Sequence, residues 1–94
     1  MNTTKVDGRN SENKVFLYTL STCGWCKKTK EYLKEQGVAY EYLDVDKCSK
    51  EERNEAVEDL KRRKAPVAFP AIIINDKTLI TGFKKDDLDE VLGL

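Results

Sequence analysis

The sequence predicts a single α/β domain in the element order βαβαββα, with a four-stranded mixed sheet flanked by helices. The run from Val15 to Tyr18 is continuously apolar, which is typical of a strand buried on both faces. A segment with helical periodicity follows, and it is long enough to connect two parallel strands. Two later apolar runs flank the polar pair Asn75-Asp76, a pattern that predicts an antiparallel hairpin with a two-residue turn. The other strands are predicted at Tyr40–Val45, Ala71–Ile74 and Lys77–Thr81.

Capping residues and apolar spacing define the predicted helices. The first helix is predicted from about Cys23 to Gln36, with Gly37 as its left-handed C-terminal cap. The second begins at the capping box Ser49-Lys50-Glu51-Glu52 and ends before Pro66. The closing helix has acidic residues in its first turn, where they complement the helix dipole. The apolar positions are Ala56, Val57 and Leu60 in the second helix and Leu88, Val91 and Leu92 in the third.

Length and charge limit the classes to which the chain can belong. Its 94 residues allow one small core, and 17 basic residues balance 17 acidic ones. No net charge favours nucleic acid or an anionic membrane, and the sequence shows neither a signal peptide nor a membrane span. We therefore expect a cytoplasmic monomer that binds neither nucleic acid nor membrane. The polar segment 1–13 is predicted to be a disordered tail, and the domain is expected over 14–94.

The chemistry that the sequence indicates is that of sulfur. The chain has three cysteines and no histidine, which excludes a Cys-His dyad and His-ligated zinc. Cys23 and Cys26 lie where the first strand leads into the first helix, and the free amides of a helix N-terminus stabilise a thiolate. Cys23 is therefore predicted to be the nucleophile. Cys26 begins the buried stripe of the helix within disulfide reach, which predicts a buried resolving thiol.

Metal chemistry is the alternative use of the same cysteines. A closed zinc site needs about four ligands, whereas the chain adds only Cys48 to the pair. An iron–sulfur cluster shared by two chains needs fewer ligands from each, and it stays open as an alternative. The dithiol reaction itself requires no cofactor. Cys48 is interpreted as a spectator, with a third redox thiol or an intermolecular disulfide as the alternatives. Asp44 and Asp46 are interpreted as loop and cap acids, with attraction of a substrate cation or binding of a metal as the alternatives.

Four segments together form a pattern found in a known family. They are Phe16-Leu17-Tyr18-Thr19, Cys23-Gly24-Trp25-Cys26, Phe69-Pro70 and Thr81-Gly82-Phe83-Lys84-Lys85-Asp86. Through them the chain, over Lys14–Leu94, resembles the glutaredoxin family, including the redoxins that reduce ribonucleotide reductase. The resemblance implies a thioredoxin fold and a cis proline at Pro70 beside the cysteines, with the backbone before it pairing with the substrate. The implied substrate site comprises Phe69, Pro70, Gly82 and Phe83, together with Trp25 as an exposed docking ring or as a lid.

Two departures from the classical family pattern bear on the electron donor. Leu20 stands where similar glutaredoxins usually carry lysine, and Gly82-Phe83 stands where they often carry a double glycine. Both changes weaken a glutathione site, and the Gly-Phe pair is more similar to the pattern of the ribonucleotide-reductase redoxins. The resemblance therefore implies reduction of a protein disulfide, with ribonucleotide reductase as a candidate substrate. It favours a thioredoxin-reductase-like or ferredoxin-linked reductase over glutathione as the donor.

Overall fold

The described part of the chain, residues 3–94 of the computed structural model, has the element order ββαβαββα. The strands are β1 (Thr4–Val6), β2 (Val15–Thr19), β3 (Tyr40–Asp44), β4 (Ala71–Ile74) and β5 (Thr78–Thr81). The helices are α1 (Gly24–Glu35), α2 (Lys50–Arg62) and α3 (Lys85–Leu92). None of the helices in this part of the chain is long and apolar enough to cross a membrane.

The strands form one mixed sheet in the order β1-β3-β2-β4-β5. β2 pairs in parallel with β3, with Thr19 opposite Asp44, and α1 is the connection between them. β4 runs antiparallel to both β2 and β5. These pairings confirm the predicted α/β class, the parallel unit and the C-terminal hairpin. The hairpin loop extends through Lys77, one residue longer than predicted, because Ile74 pairs with Thr78.

Alternate residues of the central strands build two apolar layers, one on each face of the sheet. On one face the side chains of α1 and α3 pack against the sheet, and on the other face those of α2 do so. The first layer includes Val15, Leu17, Leu33, Ile72, Ile74, Leu88 and Leu92. The second includes Tyr18, Leu43, Ala56, Leu60, Ala71 and Ile73. The central strands are thus covered on both faces, as their continuous apolar runs predict.

The helix boundaries agree closely with the capping signals of the sequence. Cys23 and Gln36 cap α1 at its two ends, and Gly37 has the left-handed φ of +70° expected after the helix. At the start of α2 the Ser49 hydroxyl accepts a hydrogen bond from the backbone N–H of Glu52 at 3.1 Å. The capping box is therefore confirmed.

The structure corrects the prediction of a disordered tail over 1–13 and of a sheet with four strands. β1 pairs antiparallel with β3 along Thr4–Val6, and Asn10 continues the contact by bridging to Val38. Val6 also packs against the first apolar layer. The low hydrophobicity of this segment gave no sign of the pairing, because backbone groups provide most of the contact. Residues 1–2 of the predicted tail lie outside the described residues.

Gly8 provides a direct test of this N-terminal packing. A Cβ at this position would lie 2.5 Å from the backbone nitrogen of Ala39 and 2.6 Å from the carbonyl oxygen of Gly37. We expect Gly8→Ala to lower the free energy of unfolding by roughly 1–3 kcal/mol, measured by chemical denaturation. If the N-terminal segment detaches from β3, the clash is relieved. The free energy of unfolding therefore cannot fall by more than the free energy with which this segment docks.

The matched control is Gly24→Ala, because a Cβ on Gly24 meets nothing within 4 Å. Gly24 is the first residue of α1, where alanine is favoured over glycine. This variant should be as stable as the wild type or slightly more stable. Unchanged stability of Gly8→Ala would contradict the packing of the N-terminal strand and would favour the disordered tail that the sequence predicts.

Candidate active site

Cys23 lies at the N-terminus of α1, just beyond the carboxyl end of β2. It is the N-cap residue, with an extended backbone, and its Sγ accepts a hydrogen bond from the backbone N–H of Cys26 at 3.2 Å. Its own N–H donates to the carbonyl of Leu20 at 3.1 Å. The half-buried sulfur thus takes the place of the oxygen of an ordinary N-cap side chain. The partial positive charge at this end of a helix favours an anion.

Cys26 lies one turn into α1 and is fully buried. Burial, together with its hydrogen bond with Cys23, raises the pKa of the Cys26 thiol to about 12. Both cysteines are present as free thiols. The structure therefore distinguishes the two sulfurs as the sequence predicts, with one reachable from solvent and the other buried and protonated at neutral pH.

A carboxylate that follows β3 holds the loop in front of Cys23. The Asp46 side chain accepts hydrogen bonds from both the backbone N–H and the hydroxyl of Ser21, the former at 2.9 Å. These bonds hold the pKa of Asp46 below its usual value. Asp46 is thus a loop acid that accepts hydrogen bonds from a neighbouring loop, and its effect is to fix the segment that leads into Cys23.

A groove beside the cysteines brings together residues that are far apart in sequence. It has a volume of about 260 Å³, and the residues that line it are Trp25, Phe69, Gly82, Phe83 and Lys84. Four of these are predicted substrate-site residues, and the fifth, Lys84, is one of the two lysines of the same motif that could hold a carboxylate. The fifth predicted residue, Pro70, is fully buried. Its contribution is therefore to the backbone, where the Phe69–Pro70 bond is cis as expected.

Glycine at position 82 keeps one end of this groove open. Gly82 has a φ of +82°, a left-handed conformation that favours glycine, and no atom lies within 4 Å of where its Cβ would be. Its N–H donates to the carbonyl oxygen of Pro70 at 2.8 Å. That bond fixes the loop before α3 against the cis peptide, so the two sides of the groove are held together.

Aromatic rings form one wall of the groove. The Trp25 ring is 60% exposed and stacks on Phe83 with a centroid distance of 6.3 Å. Phe83 in turn meets the edge of Tyr32, whose hydroxyl donates to Asp89. Lys28 places its Nζ 5.3 Å from the centre of the Trp25 ring. Of the two predicted arrangements for Trp25, the geometry corresponds to the exposed ring.

The fold and the cysteine motif are those of a known family. The model of the glutaredoxin family matches residues 15–79. The chain belongs to the glutaredoxin family. An uncharacterized glutaredoxin-like 8.6 kDa protein in the rubredoxin operon of Clostridium pasteurianum is 34% identical over 78 residues, covering 83% of this chain and 96% of that protein.

Solved structures agree with this assignment. The glutaredoxin from Methanosarcina mazei Go1 has a TM-score of 0.86 and 44% identity, covering 98% of this chain and 88% of that one. Methanosarcina acetivorans methanoredoxin has a TM-score of 0.79 and 43% identity, covering 86% of this chain and 85% of that one. The thioredoxin fold implied by the resemblance is thereby confirmed. The glutaredoxin is a thiol-disulfide oxidoreductase in the general sense of its family.

The third cysteine of this glutaredoxin lies on the α2 side of the sheet. Cys48 is half-buried, packs against the second apolar layer and donates its thiol hydrogen to the carbonyl of Val45 at 3.4 Å. It borders a separate cavity of about 310 Å³, which also reaches Thr4 and Glu52. Among the described residues, no group of three or more His, Cys, Asp and Glu side chains is placed to hold a metal ion.

The different burial of the cysteines predicts their order of alkylation. A brief pulse of iodoacetamide at neutral pH should label Cys23 first, because alkylation requires an accessible thiolate. Cys26 should react most slowly, since its thiol is buried and its pKa is about 12. Mass-spectrometric mapping of the three cysteines measures this order. In a Cys23→Ser control the fast label should disappear, and preferential labelling of Cys26 would reverse the two roles.

Proposed function

We propose that this glutaredoxin reduces disulfide bonds of proteins through the dithiol pair Cys23 and Cys26. The observation that carries the proposal is the contrast between the two sulfurs. Cys23 is reachable at the N-terminus of α1, whereas Cys26 is fully buried and hydrogen-bonded to it. An exposed nucleophile beside a protected second thiol is the arrangement that a two-step exchange requires.

The reaction proceeds by two successive displacements. The Cys23 thiolate attacks one sulfur of the substrate disulfide, forms a mixed disulfide and releases the other sulfur as a thiolate. Cys26 then loses its proton to solvent and attacks the Cys23 sulfur, which releases the second substrate thiolate. The substrate has gained two electrons and the protein has lost them. A reductant must reopen the Cys23–Cys26 disulfide before the next cycle.

An extended segment of the substrate docks in the groove beside Cys23. Among the described residues, neither the backbone N–H nor the carbonyl of Phe69 has a backbone partner. These groups are therefore free to pair with an extended chain as an added strand. The stacked rings of Trp25 and Phe83 provide an apolar wall for the side chains next to the disulfide.

A protein reductase supplies the electrons in preference to glutathione. Leu20 is half-buried against the second apolar layer, so it offers no charge to a glutathione carboxylate. Only Lys84 of the groove-lining residues is cationic. The Clostridium pasteurianum relative is in a rubredoxin operon, and this setting supports an electron-transfer protein as the donor. The candidates are a thioredoxin-reductase-like and a ferredoxin-linked enzyme.

Trapping of the mixed disulfide tests the dithiol mechanism. Cys26→Ser should retain the first displacement and lose the second, so a protein substrate should stay covalently attached to Cys23. The adduct is detected as a mass increase that disappears on addition of dithiothreitol. The double variant Cys23→Ser/Cys26→Ser is the control and should trap nothing. Sustained multiple turnover of protein-disulfide reduction by Cys26→Ser would contradict the dithiol mechanism.

The choice of electron donor is tested with an added lysine. The wild type should turn over slowly with glutathione and glutathione reductase, because one charged contact is worth roughly ten- to a hundredfold in affinity. Leu20→Lys should improve this turnover, while turnover with a candidate protein reductase should remain efficient in both proteins. The measurement is the steady-state reduction of a model disulfide with each donor. Robust glutathione-dependent turnover of the wild type would refute the proposed donor.

A further inference from the structure

A partly buried ion pair lies on the face of the sheet covered by α1. The Nζ of Lys30 is 3.1 Å from Oδ1 of Asp44, and the two side chains are only 20% and 21% exposed. The fully buried Thr19 donates its hydroxyl to the same carboxylate. The Nζ of Lys30 also lies 3.8 Å from the centre of the Tyr42 ring. Asp44 and Tyr42 on β3 therefore hold Lys30 directly, and Thr19 on β2 holds it through Asp44.

The lysine of this ion pair lies one helical turn from the resolving cysteine. Lys30 follows Cys26 by four residues in α1, which places both side chains on the same face of the helix. Asp44 and Thr19 lie opposite each other at the carboxyl ends of β3 and β2, where α1 begins. Removing charges from water is costly, and a partly buried pair is weak support for stability. The position of Lys30 one helical turn from Cys26 points to a role in the reaction.

The resolving step has a specific electrostatic requirement. Cys26 must become a thiolate at a fully buried position, and burial opposes this. The charged and titratable groups that act on it are Cys23, the N-cap of α1, and Lys30 within α1, and of these Lys30 alone favours the thiolate. From β3, Asp44 and Tyr42 face Lys30. In α3, Lys85 and Asp89 form an ion pair with each other, and Asp89 also accepts a hydrogen bond from the Tyr32 hydroxyl.

We propose that Lys30, held by Asp44, stabilises the Cys26 thiolate as it displaces the substrate and so sets the rate of the resolving step. Lys30 is a positioning residue in this role, because it acts through Cys26 and not on the substrate. The inference rests on the proposed dithiol function. The proton of Cys26 leaves to solvent, the Cys26–Cys23 disulfide forms, and the bond between Cys23 and the substrate sulfur breaks.

A neutral aryl disulfide, dithiodipyridine, separates the two displacements in one experiment. Attack by Cys23 releases the first thiopyridone, and attack by Cys26 releases the second, so absorbance under single turnover should rise in two phases. All proteins carry Cys48→Ser, which removes the third thiol from the signal. Because the probe carries no charge, loss of a lysine should not change its attraction to the protein.

Lys30→Gln should slow the second phase and leave the first unchanged. A loss of about one pKa unit of stabilisation reduces the thiolate population about tenfold, and the greater nucleophilicity of a less acidic thiolate restores about threefold. We therefore expect the second phase to slow about threefold at neutral pH. The second-phase rate should rise with pH in both proteins, since the thiolate reacts, and the variant should need about half a pH unit more to match the wild type.

Two control variants separate charge from structure. Lys30→Arg keeps the positive charge and should restore the second phase. Lys34→Gln removes a charge from an exposed position of the same helix and should leave both phases unchanged. A normal second phase in Lys30→Gln overturns the inference, and so does equal slowing in Lys30→Arg or Lys34→Gln. Absence of any second phase in the parent protein would instead overturn the dithiol function itself.

Discussion

The parallel pairing of β2 with β3 is the constraint on which the rest of the structure depends. Two parallel strands cannot be joined by a tight turn, so the chain must cross back along the sheet through α1. The helix therefore begins at the carboxyl ends of the strands, and its free amides face the residue that ends the preceding loop. Cys23 is that residue. The proposed nucleophile is thus positioned by the topology of the sheet and not by any single contact.

The same edge of the sheet collects the charged side chains of the site. Asp44 is the last residue of β3 and Asp46 lies two residues beyond it. The parallel register with β2 places Asp44 opposite Thr19 at the end of β2. Asp46 fixes the loop at Ser21, and Asp44 is bonded to Thr19 and Lys30. Both carboxylates thus accept hydrogen bonds from protein donors. The bond to Asp44 also fixes the positive charge of Lys30 against the end of β3.

Local signals made most of the fold and the two cysteines predictable from the sequence. The N-cap role of Cys23 depends on a strand, a short loop and a helix that adjoin in sequence, and the capping box of α2 spans four residues. The pairing of Thr4–Val6 with β3 was missed, because a strand with one apolar residue leaves no pattern and its bonds come from the backbone. The contact between Lys30 and Asp44 was missed as well. Helical spacing places Lys30 on the face of Cys26, but only the register of β3 says which acid it meets.

The burial of Cys26 disfavours its thiolate, whereas its position one helical turn from Cys23 favours attack on the Cys23 sulfur. With a pKa of about 12, the Cys26 thiol is almost entirely protonated at neutral pH. A free thiol in solution would be a far more abundant nucleophile. However, Cys26 is held one helical turn from Cys23, and well-oriented intramolecular groups act at effective concentrations of about 10⁵ M or more. That advantage works against the low ionisation of Cys26 when the competitor is a thiol present at millimolar concentration. Burial is therefore compatible with the proposed resolving role of Cys26, and it protects this thiol from reaction with external reagents.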